Sequence, residues 1–281
     1  MEAQLEQIRE QQKETWNKFS GGWKKWDGLV MEFLKPMGAE MIRLLKPAND
    51  DVILDVAAGT GEPGLTIAAM LNGGKVISID LAEDMLKVAD ENAAKRGIKN
   101  FETKVADVCE LPFADNSFDA ISCRFGFMFF PDMLMAAKEM ARVLKPGGRI
   151  AVSVWNVPEK NFWVTGIMGI LNKNIEMSPP QPGAPGMFRC AADGLIAGLF
   201  KEAGLKNISL NEITTTLNSE TNETYWNMQN EVAAPVVGAL SKADDAVKAK
   251  IKAELFELLD KKFAGAKVNL PASALVIYAE K

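Results

Sequence analysis

The stretch of residues 52–64, VILDVAAGTGEPG, decides the fold. It begins with an apolar run that contains one acid, Asp55, and such a run predicts a strand buried on both faces of a parallel sheet. Gly59 and Gly61 then allow a sharp turn, because glycine adopts backbone angles that other residues resist. A helical pattern follows over residues 62–71. Together, a strand, a glycine turn and a helix N-terminus form a cradle whose backbone can approach a nucleotide-like ligand.

Strand-like and helix-like patterns alternate through the first half of the chain. The predicted strands cover 52–57, 75–81, 101–106, 118–123 and 149–155, and the predicted helices cover 62–71, 82–96 and 131–144. This alternation is typical of a doubly wound α/β fold with a parallel sheet. Residues 145–148, KPGG, are predicted to form a tight turn before the fifth strand.

Helical patterns flank this region on both sides. Residues 1–20 and 26–45 have apolar stripes, and Ser20-Gly21-Gly22 predicts a break between them. The predicted later elements are helices at 162–171, 192–203, 220–240 and 244–263, strands at 206–217 and 273–280, and a loop at 177–187. Two interpretations of the N-terminal helices stay open: they pack on the domain surface, or their tryptophans help to close a pocket over the glycine turn.

The composition is that of a globular chain without a strong charge bias. Its 281 residues are 48% hydrophobic and carry a net charge of −5, so we expect no nucleic-acid partner. The chain contains no histidine, which excludes a histidine base, a Ser-His-Asp triad and histidine metal sites. Its three cysteines lie far apart, so we predict neither a metal site nor a disulfide framework. No stretch resembles a signal peptide or a membrane span, so we expect a cytoplasmic protein without stable membrane insertion.

Two acids follow predicted strands at the edge where open α/β folds bind ligands. Asp80 ends the second strand, 16 positions after Gly64, where a carboxylate can accept hydrogen bonds from two ribose hydroxyls. Asp107 follows the third strand, where a carboxylate can accept from an adenine amino group. Residues 59–64 also match the G-x-G-x-x-G dinucleotide fingerprint. These features therefore fit a nicotinamide dinucleotide and an adenosyl cofactor equally.

The complete set of motifs resembles the class I S-adenosylmethionine-dependent methyltransferases. The resemblance rests on 55–61 (DVAAGTG), Asp80, 107–113 (DVCELPF), 117–119 (SFD) and 144–148 (LKPGG), which span most of residues 50–156. Within that family, the chain looks most like the ubiquinone and menaquinone C-methyltransferases and related small-molecule enzymes. The resemblance implies a seven-stranded Rossmann-like sheet with an antiparallel last strand and a helical cap. It also implies S-adenosyl-L-methionine as the cofactor.

The resemblance further implies which residues hold the cofactor. The glycine turn would hold the methionine part, Asp80 the ribose, and Asp107 with Val108 the adenine, while Arg124 and Phe125 would lie beside the sulfonium. Ala57 departs from the pattern, because many members have glycine at that position. The full predicted cofactor set is Asp55, Ala57, Gly59, Thr60, Gly61, Asp80, Leu81, Met85, Asp107, Val108, Arg124 and Phe125.

We predict three parts along the chain: an N-terminal helical lid (1–46), the cofactor-binding core (47–156), and cap helices with the closing strand hairpin of the same domain (157–281). The cap is rich in methionine and aromatic residues, as pockets for flat or lipidic ligands often are. A cap that packs only on itself, or on a second subunit of a homodimer, stays open. The predicted acceptor-pocket residues are Trp23, Trp26, Phe127, Trp155, Trp163, Phe188 and Trp226.

These features predict a methyltransferase that uses S-adenosylmethionine to methylate a small, largely apolar acceptor on carbon or oxygen. An aromatic or quinone-like acceptor suits a chain without a histidine base, because an acidic hydroxyl ionises largely by itself. No residue is assigned a catalytic role. Two alternatives stay open: a nicotinamide-dependent oxidoreductase, and a non-catalytic protein that binds an adenosyl ligand.

Overall fold

The computed structural model describes residues 2–176, 183–263 and 267–281. In these ranges seven strands form one sheet in the order β3-β2-β1-β4-β5-β7-β6. The strands are β1 (Val52–Val56), β2 (Lys75–Asp80), β3 (Phe101–Val105), β4 (Phe118–Arg124), β5 (Leu144–Trp155), β6 (Lys206–Ser219) and β7 (Val268–Glu280). Strands β1 to β5 run parallel to one another. The last strand, β7, lies between β5 and β6 and is antiparallel to both, which confirms the predicted fold class.

Ten helices surround the sheet in the described part of the chain. They are α1 (Glu2–Lys25), α2 (Asp27–Leu45), α3 (Gly64–Met70), α4 (Glu83–Lys95), α5 (Met133–Val143), α6 (Phe162–Asn174), α7 (Leu195–Glu202), α8 (Asn222–Val232), α9 (Ala234–Leu240) and α10 (Asp245–Phe263). Helix α2 packs on β5, β6 and β7, whereas α1 packs on α4 and α8 rather than on the sheet. None of the helices in the described ranges is long and apolar enough to cross a membrane.

The core follows from the buried strands and the apolar stripe of α2. Ile53, Leu54 and Val56 of β1 are almost completely buried, as expected for a central strand covered on both faces. Along α2, Val30, Phe33, Leu34, Met37 and Met41 are buried at helical spacing, so this stripe covers the sheet. The fold thereby brings the carboxyl ends of β1 to β5 to one edge.

The predicted break at Ser20-Gly21-Gly22 is wrong, because α1 continues through these residues to Lys25. Gly22 marks the place where α1 meets α8: an added Cβ would lie 2.1 Å from the carbonyl oxygen of Glu231. The backbone hydrogen bonds also continue across Trp26, from Trp26 N to Gly22 O and from Val30 N to Trp26 O. Close packing between helices, not a turn, therefore accounts for this glycine.

Other element boundaries also differ from the predictions. Residues 145–148 do not precede the fifth strand but belong to β5, where the pairing with β4 shifts register between Phe118 and Ala120. The single helix predicted over 220–240 is two helices, α8 and α9, separated at the extended residue Ala233. Pro235 lies in the first turn of α9, where its missing N–H prevents continuation of the preceding helix. Of the predicted loop at 177–187, residues 177–182 lie outside the described ranges.

Candidate active site

A large cavity lies at the carboxyl ends of the parallel strands. Ala57 after β1, Asp80 at the end of β2, Asp107 after β3, Arg124 at the end of β4 and Trp155 at the end of β5 all line it. The empty space in and in front of it amounts to about 1420 Å³, part of which is open solvent.

The glycine turn supplies a backbone cradle on one side of the cavity. Three of its residues have positive φ angles, namely Ala57 at 53°, Gly59 at 54° and Gly61 at 108°. Ala57 thus adopts a left-handed conformation that costs a non-glycine residue roughly 1–2 kcal/mol. The turn is held to β2, because Ala58 N donates to Ile79 O at 3.0 Å. Ala57, Ala58, Gly59 and Thr60 of this turn line the cavity.

Asp80 connects the end of β2 to this turn. Its Oδ2 accepts a hydrogen bond from Gly59 N at 2.9 Å, and its Oδ1 accepts one from Ala82 N at 2.9 Å. Burial raises the pKa of this carboxyl above its usual range, and the backbone N–H donors act in the opposite direction. The side chain still borders the cavity, where its oxygens can accept further hydrogen bonds from the hydroxyls of a ligand.

Asp55 lies beneath the turn and does not line the cavity. It is fully buried, and its two oxygens accept from Ser122 Oγ at 2.6 Å and from Gly64 N at 3.2 Å. Burial raises the pKa of Asp55 to about 7. The carboxyl group thus ties β4 to the start of α3 and supports the turn from below. Gly61 does not line the cavity either. A Cβ added to it would contact Leu65 and Ala89.

Asp107, which follows β3, also lines the cavity and is held by two contacts. Its Oδ1 accepts from Cys109 N at 2.8 Å, and its Oδ2 lies 2.5 Å from Nε of Arg9 on α1. Gln12 and Trp16, one and two turns further along α1, also line the cavity. The N-terminal half of α1 therefore covers the cavity beside Asp107.

Arg124 and Phe125 occupy the middle of the cavity. The guanidinium of Arg124 donates from Nε to Glu62 O at 3.0 Å and from Nη2 to Met31 Sδ at 3.2 Å. Burial lowers its pKa. Phe125, with φ at 59°, stacks on Trp155 with ring centroids 4.2 Å apart. The two neighbouring side chains therefore have different contacts: Arg124 bonds to Glu62 and Met31, and Phe125 stacks on Trp155.

An aromatic wall, formed by Phe33, Phe125, Trp155 and Trp163, closes the side of the cavity away from Asp107. Trp155 lies at its centre, with ring centroids 5.8 Å from Phe33 and 4.9 Å from Trp163. Leu217 of β6 and Met228 and Val232 of α8 extend this apolar surface. A flat, apolar molecule fits such a surface better than a charged one does.

The structure brings most of the predicted cofactor set together. Ten of its members line the cavity: Ala57, Gly59, Thr60, Asp80, Leu81, Met85, Asp107, Val108, Arg124 and Phe125. The other two members, Asp55 and Gly61, do not line the cavity. Since the ends of parallel strands meet at one edge of a sheet, motifs far apart in the sequence predict one site.

The predicted acceptor pocket is only partly assembled. Trp23, Trp155 and Trp163 line the cavity, whereas four of the predicted aromatics do not: Trp26, Phe127, Phe188 and Trp226.

Local contacts explain those four placements. Trp26 turns to α8, where its Nε1 donates to Glu231 Oε2 at 3.0 Å. Phe127 is completely buried and packs edge-on against Phe200 of α7. Trp226 lies on a different face of α8 from Met228, and Phe188 packs against the core while its neighbour Met187 reaches the cavity.

Several wall residues were not predicted from the sequence. Phe129 lines the cavity together with Trp16, at a centroid distance of 5.2 Å. The other unpredicted members include Val30, Phe33, Leu34, Met128, Leu217, Met228, Val232 and Pro235. The apolar stripes of their helices were visible in the sequence, but nothing in a stripe distinguishes the positions that face a cavity from those that face the sheet.

Comparisons with known proteins agree with this geometry. Residues 53–148 match the family model described as "Methyltransferase domain". The demethylmenaquinone methyltransferase of Bacillus subtilis is 32% identical over 189 residues, covering 62% of this chain and 78% of the relative.

Solved structures share the fold. The YcgJ protein from Bacillus subtilis has a TM-score of 0.57 and 21% identity, covering 87% of this chain and 97% of that one. A Haemonchus contortus phosphoethanolamine N-methyltransferase 2, solved with S-adenosylhomocysteine, has a TM-score of 0.52 and 19% identity, covering 87% and 52% of the two chains. With the relative from Bacillus subtilis and the family model, the fold and the strand-end site lead to one conclusion: this chain belongs to the class I S-adenosylmethionine-dependent methyltransferases.

Proposed function

We propose that this enzyme methylates a small, largely apolar acceptor with an aromatic or quinone-like ring, on carbon or oxygen. The observation that carries this proposal is the aromatic wall around Trp155, whose ring lies 4.2 Å from that of Phe125 at the end of β4. Apolar burial at about 25 cal/mol per Å² would supply most of the binding free energy before the cost of ordering. The name of the Bacillus subtilis relative, a demethylmenaquinone methyltransferase, supports the same acceptor class.

The cofactor would lie along the other side of the cavity. Asp80 would accept from its ribose, Asp107 and Val108 would face its adenine, and the backbone after β1 would approach its methionine part. The cradle fits such a group, because the turn presents backbone at Gly59 and a carboxylate at Asp80 within one wall. When bound, S-adenosylmethionine supplies an activated methyl group. The residues of the protein then have mainly to orient the acceptor and exclude water, and orientation alone can contribute several kcal/mol.

The carboxylates in the wall are poor candidates for a general base. Both oxygens of Asp80 accept from backbone N–H groups. Asp107 is held by Cys109 N and Arg9, and Glu62 pairs with Arg96. An acceptor with an acidic hydroxyl does not need such a base, since it can lose its proton to water. This supports a phenol or hydroquinone over an aliphatic alcohol.

The N-terminal helices and the cap would close the cavity on either side. Helix α1 places Gln12, Trp16 and Trp23 in the wall, which supports the predicted lid over 1–46. The cap contributes Trp163, Met228 and Pro235, so residues 157–281 would shape the acceptor end. The acceptor would enter between these two parts.

A methyl-transfer assay tests the proposed acceptor class. The purified protein is incubated with S-adenosylmethionine carrying a labelled methyl group and one of four acceptors: a naphthohydroquinone, a simple phenol, a hydrophilic amine or an RNA. We expect label in the hydroquinone or the phenol, with a lower KM for the more apolar ring. Label found only in the amine or the RNA would rule out the proposed acceptor class.

A further inference from the structure

Arg124 is a partly buried cation without an ion pair among the described residues. The acids around it are engaged elsewhere: Glu62 pairs with Arg96, Asp55 accepts from Ser122 and Gly64, and Asp27 accepts from Thr60 Oγ1 at 3.4 Å. Burial is the largest influence on the pKa of Arg124 and lowers it, while these three acids act in the opposite direction. An unpaired cation in such a place is costly unless a ligand compensates it.

The guanidinium has more donors than its hydrogen bonds to the described residues use. An arginine carries five N–H donors, and the hydrogen bonds to Glu62 O and Met31 Sδ use two of them. Both of these acceptors are neutral, so neither balances the charge. Arg124 lines the cavity, and an arginine fork is suited to a two-pronged contact with an oxyanion. The remaining donors can therefore bind an anionic oxygen of a ligand.

The position of Arg124 allows two sources for that oxygen. On one side its Nε donates to Glu62 O, directly after Gly61 of the glycine turn. On the other side its neighbour Phe125 stacks on Trp155 of the aromatic wall. We propose that Arg124 is the oxyanion anchor of the cavity, and that it binds either the carboxylate of the methionine part of the cofactor or an ionised hydroxyl of the acceptor. The second source rests on the proposed function.

An ionised hydroxyl held by Arg124 would also account for catalysis without a general base. A positive charge within about 4–6 Å of a hydroxyl lowers its pKa by roughly 1–3 units. The hydroxyl proton would leave to water, and the electron pair that remains on oxygen, or on the ring carbon conjugated with it, would form the new bond to the methyl carbon while the bond from that carbon to sulfur breaks, its electrons staying on sulfur. After attack by carbon, the hydrogen on that ring carbon would also be lost as a proton to water, which restores the aromatic ring. Arg124 would then be a binding residue that selects acceptors with an acidic hydroxyl.

The first arm of the test concerns the cofactor carboxylate. The affinities of S-adenosylhomocysteine and of 5′-methylthioadenosine, which lacks the amino-acid part, are measured by calorimetry for the wild type, Arg124→Gln and Arg124→Lys. If Arg124 holds the carboxylate, Arg124→Gln raises the Kd of S-adenosylhomocysteine at least tenfold and leaves that of methylthioadenosine unchanged. Arg149→Gln is the matched control, because it makes the same substitution at an arginine that does not line the cavity. Arg149 pairs with Asp51, the residue before β1.

The second arm concerns the acceptor oxygen. 4-Nitrophenol is titrated in the complex with S-adenosylhomocysteine, and its absorbance reports whether the bound hydroxyl is ionised. If Arg124 holds the acceptor, the pKa of bound nitrophenol in the wild type lies at least one unit below that of free nitrophenol. In Arg124→Gln this shift is lost, whereas Arg124→Lys retains part of it and Arg149→Gln retains all of it.

The proposal is overturned if a folded Arg124→Gln protein keeps both the affinity for S-adenosylhomocysteine and the nitrophenol shift. If that variant does not fold, Arg124→Met, which also removes the charge, takes its place: no nitrophenol shift in the wild type, together with unchanged affinity for S-adenosylhomocysteine in Arg124→Met, overturns it equally. Neither arm requires the natural acceptor. A hydrophilic acceptor found in the methyl-transfer assay would therefore refute the acceptor class while leaving the carboxylate arm intact.

Discussion

The carboxylate of Asp80 accepts a hydrogen bond from the backbone N–H of Gly59 over 2.9 Å, so that β2 fixes the turn that follows β1. The same carboxylate borders the cavity. One side chain thus both shapes the backbone cradle and offers acceptors to a ligand. Its loss is expected to affect binding through both effects.

We expect Asp80→Ala to weaken binding of S-adenosylhomocysteine by about 1.5–3 kcal/mol, the usual range for hydrogen bonds to a charged group. Calorimetry on the folded variant measures the change. Asp90→Ala is a suitable control, because Asp90 is an exposed aspartate of α4 that bonds only to Thr103 in the described structure. An unchanged Kd for Asp80→Ala would show that the carboxylate does not contact the cofactor.

Asp55 predicts a specific pH dependence of stability. Its pKa is about 7 in the folded protein against a reference value of 3.8, so the folded state binds more protons between these values. The contribution of Asp55 to the free energy of unfolding is therefore fully present below about pH 4 and is lost as the pH rises through 7, by as much as about 4 kcal/mol. Asn cannot titrate, so the stability of Asp55→Asn relative to wild type should rise across this interval.

Chemical denaturation at pH 4.5 and pH 7.5 checks this expectation. The comparison uses the difference between the two proteins, because other carboxyl groups, such as Glu139 with its lowered pKa, affect both equally. Parallel stability curves for wild type and Asp55→Asn would contradict the raised pKa.

The contact between α1 and α8 offers a matched pair of glycines. An added Cβ at Gly22 would lie 2.1 Å from Glu231 O, whereas Gly21 has nothing within 4 Å of that position. We expect Gly22→Ala to lower the free energy of unfolding by about 1–3 kcal/mol through overpacking. Gly21→Ala should raise it by up to about 1 kcal/mol, the difference in helix propensity. Thermal unfolding of the two variants measures both effects, and equal midpoints would show that α1 does not pack on α8 in this way.

Substitution of Trp155 tests acceptor binding separately from cofactor binding. Aromatic pairs contribute about 0.5–1.5 kcal/mol beyond the area they bury, so Trp155→Leu should raise the KM for an aromatic acceptor by about two- to tenfold. The Kd of S-adenosylhomocysteine should change little. Trp226→Leu removes the same side chain from α8 outside the cavity lining and should leave this KM unchanged. A rise in the cofactor Kd alone would place Trp155 beside the cofactor instead.

The sequence was sufficient to predict the sheet and the residues at the ends of its strands. Asp80, Asp107 and Arg124 line one cavity because parallel strands end at a common edge. Strand periodicity predicts Asp80 and Asp107 at this edge, whereas the role of Arg124 in the site follows from the resemblance to the methyltransferases. Local rules were less reliable where packing between distant segments decided the outcome. Gly22 signals a break in isolation, yet it permits contact with Glu231, which lies more than two hundred positions away.

The acceptor end was harder to predict for the same reason. Trp23 and Trp26 are one helical turn apart in the sequence, but Trp23 reaches the cavity and Trp26 is drawn to Glu231. On α8, the cavity takes Met228 and Val232 rather than Trp226. An aromatic side chain indicates that a residue is buried. Which side of the helix faces the cavity depends on tertiary contacts, which the composition does not reveal.

Helix α1 is attached near both of its ends, to Asp107 through Arg9 and to α8 through the contact of Gly22 with Glu231. Its 24 residues span about 36 Å at 1.5 Å per residue. A demethylated cofactor bound beside Asp107 would lie beneath this helix, so its release would require at least one of these contacts to open. We therefore expect the residence time of the demethylated product, more than the methyl transfer itself, to limit how fast successive reactions follow one another.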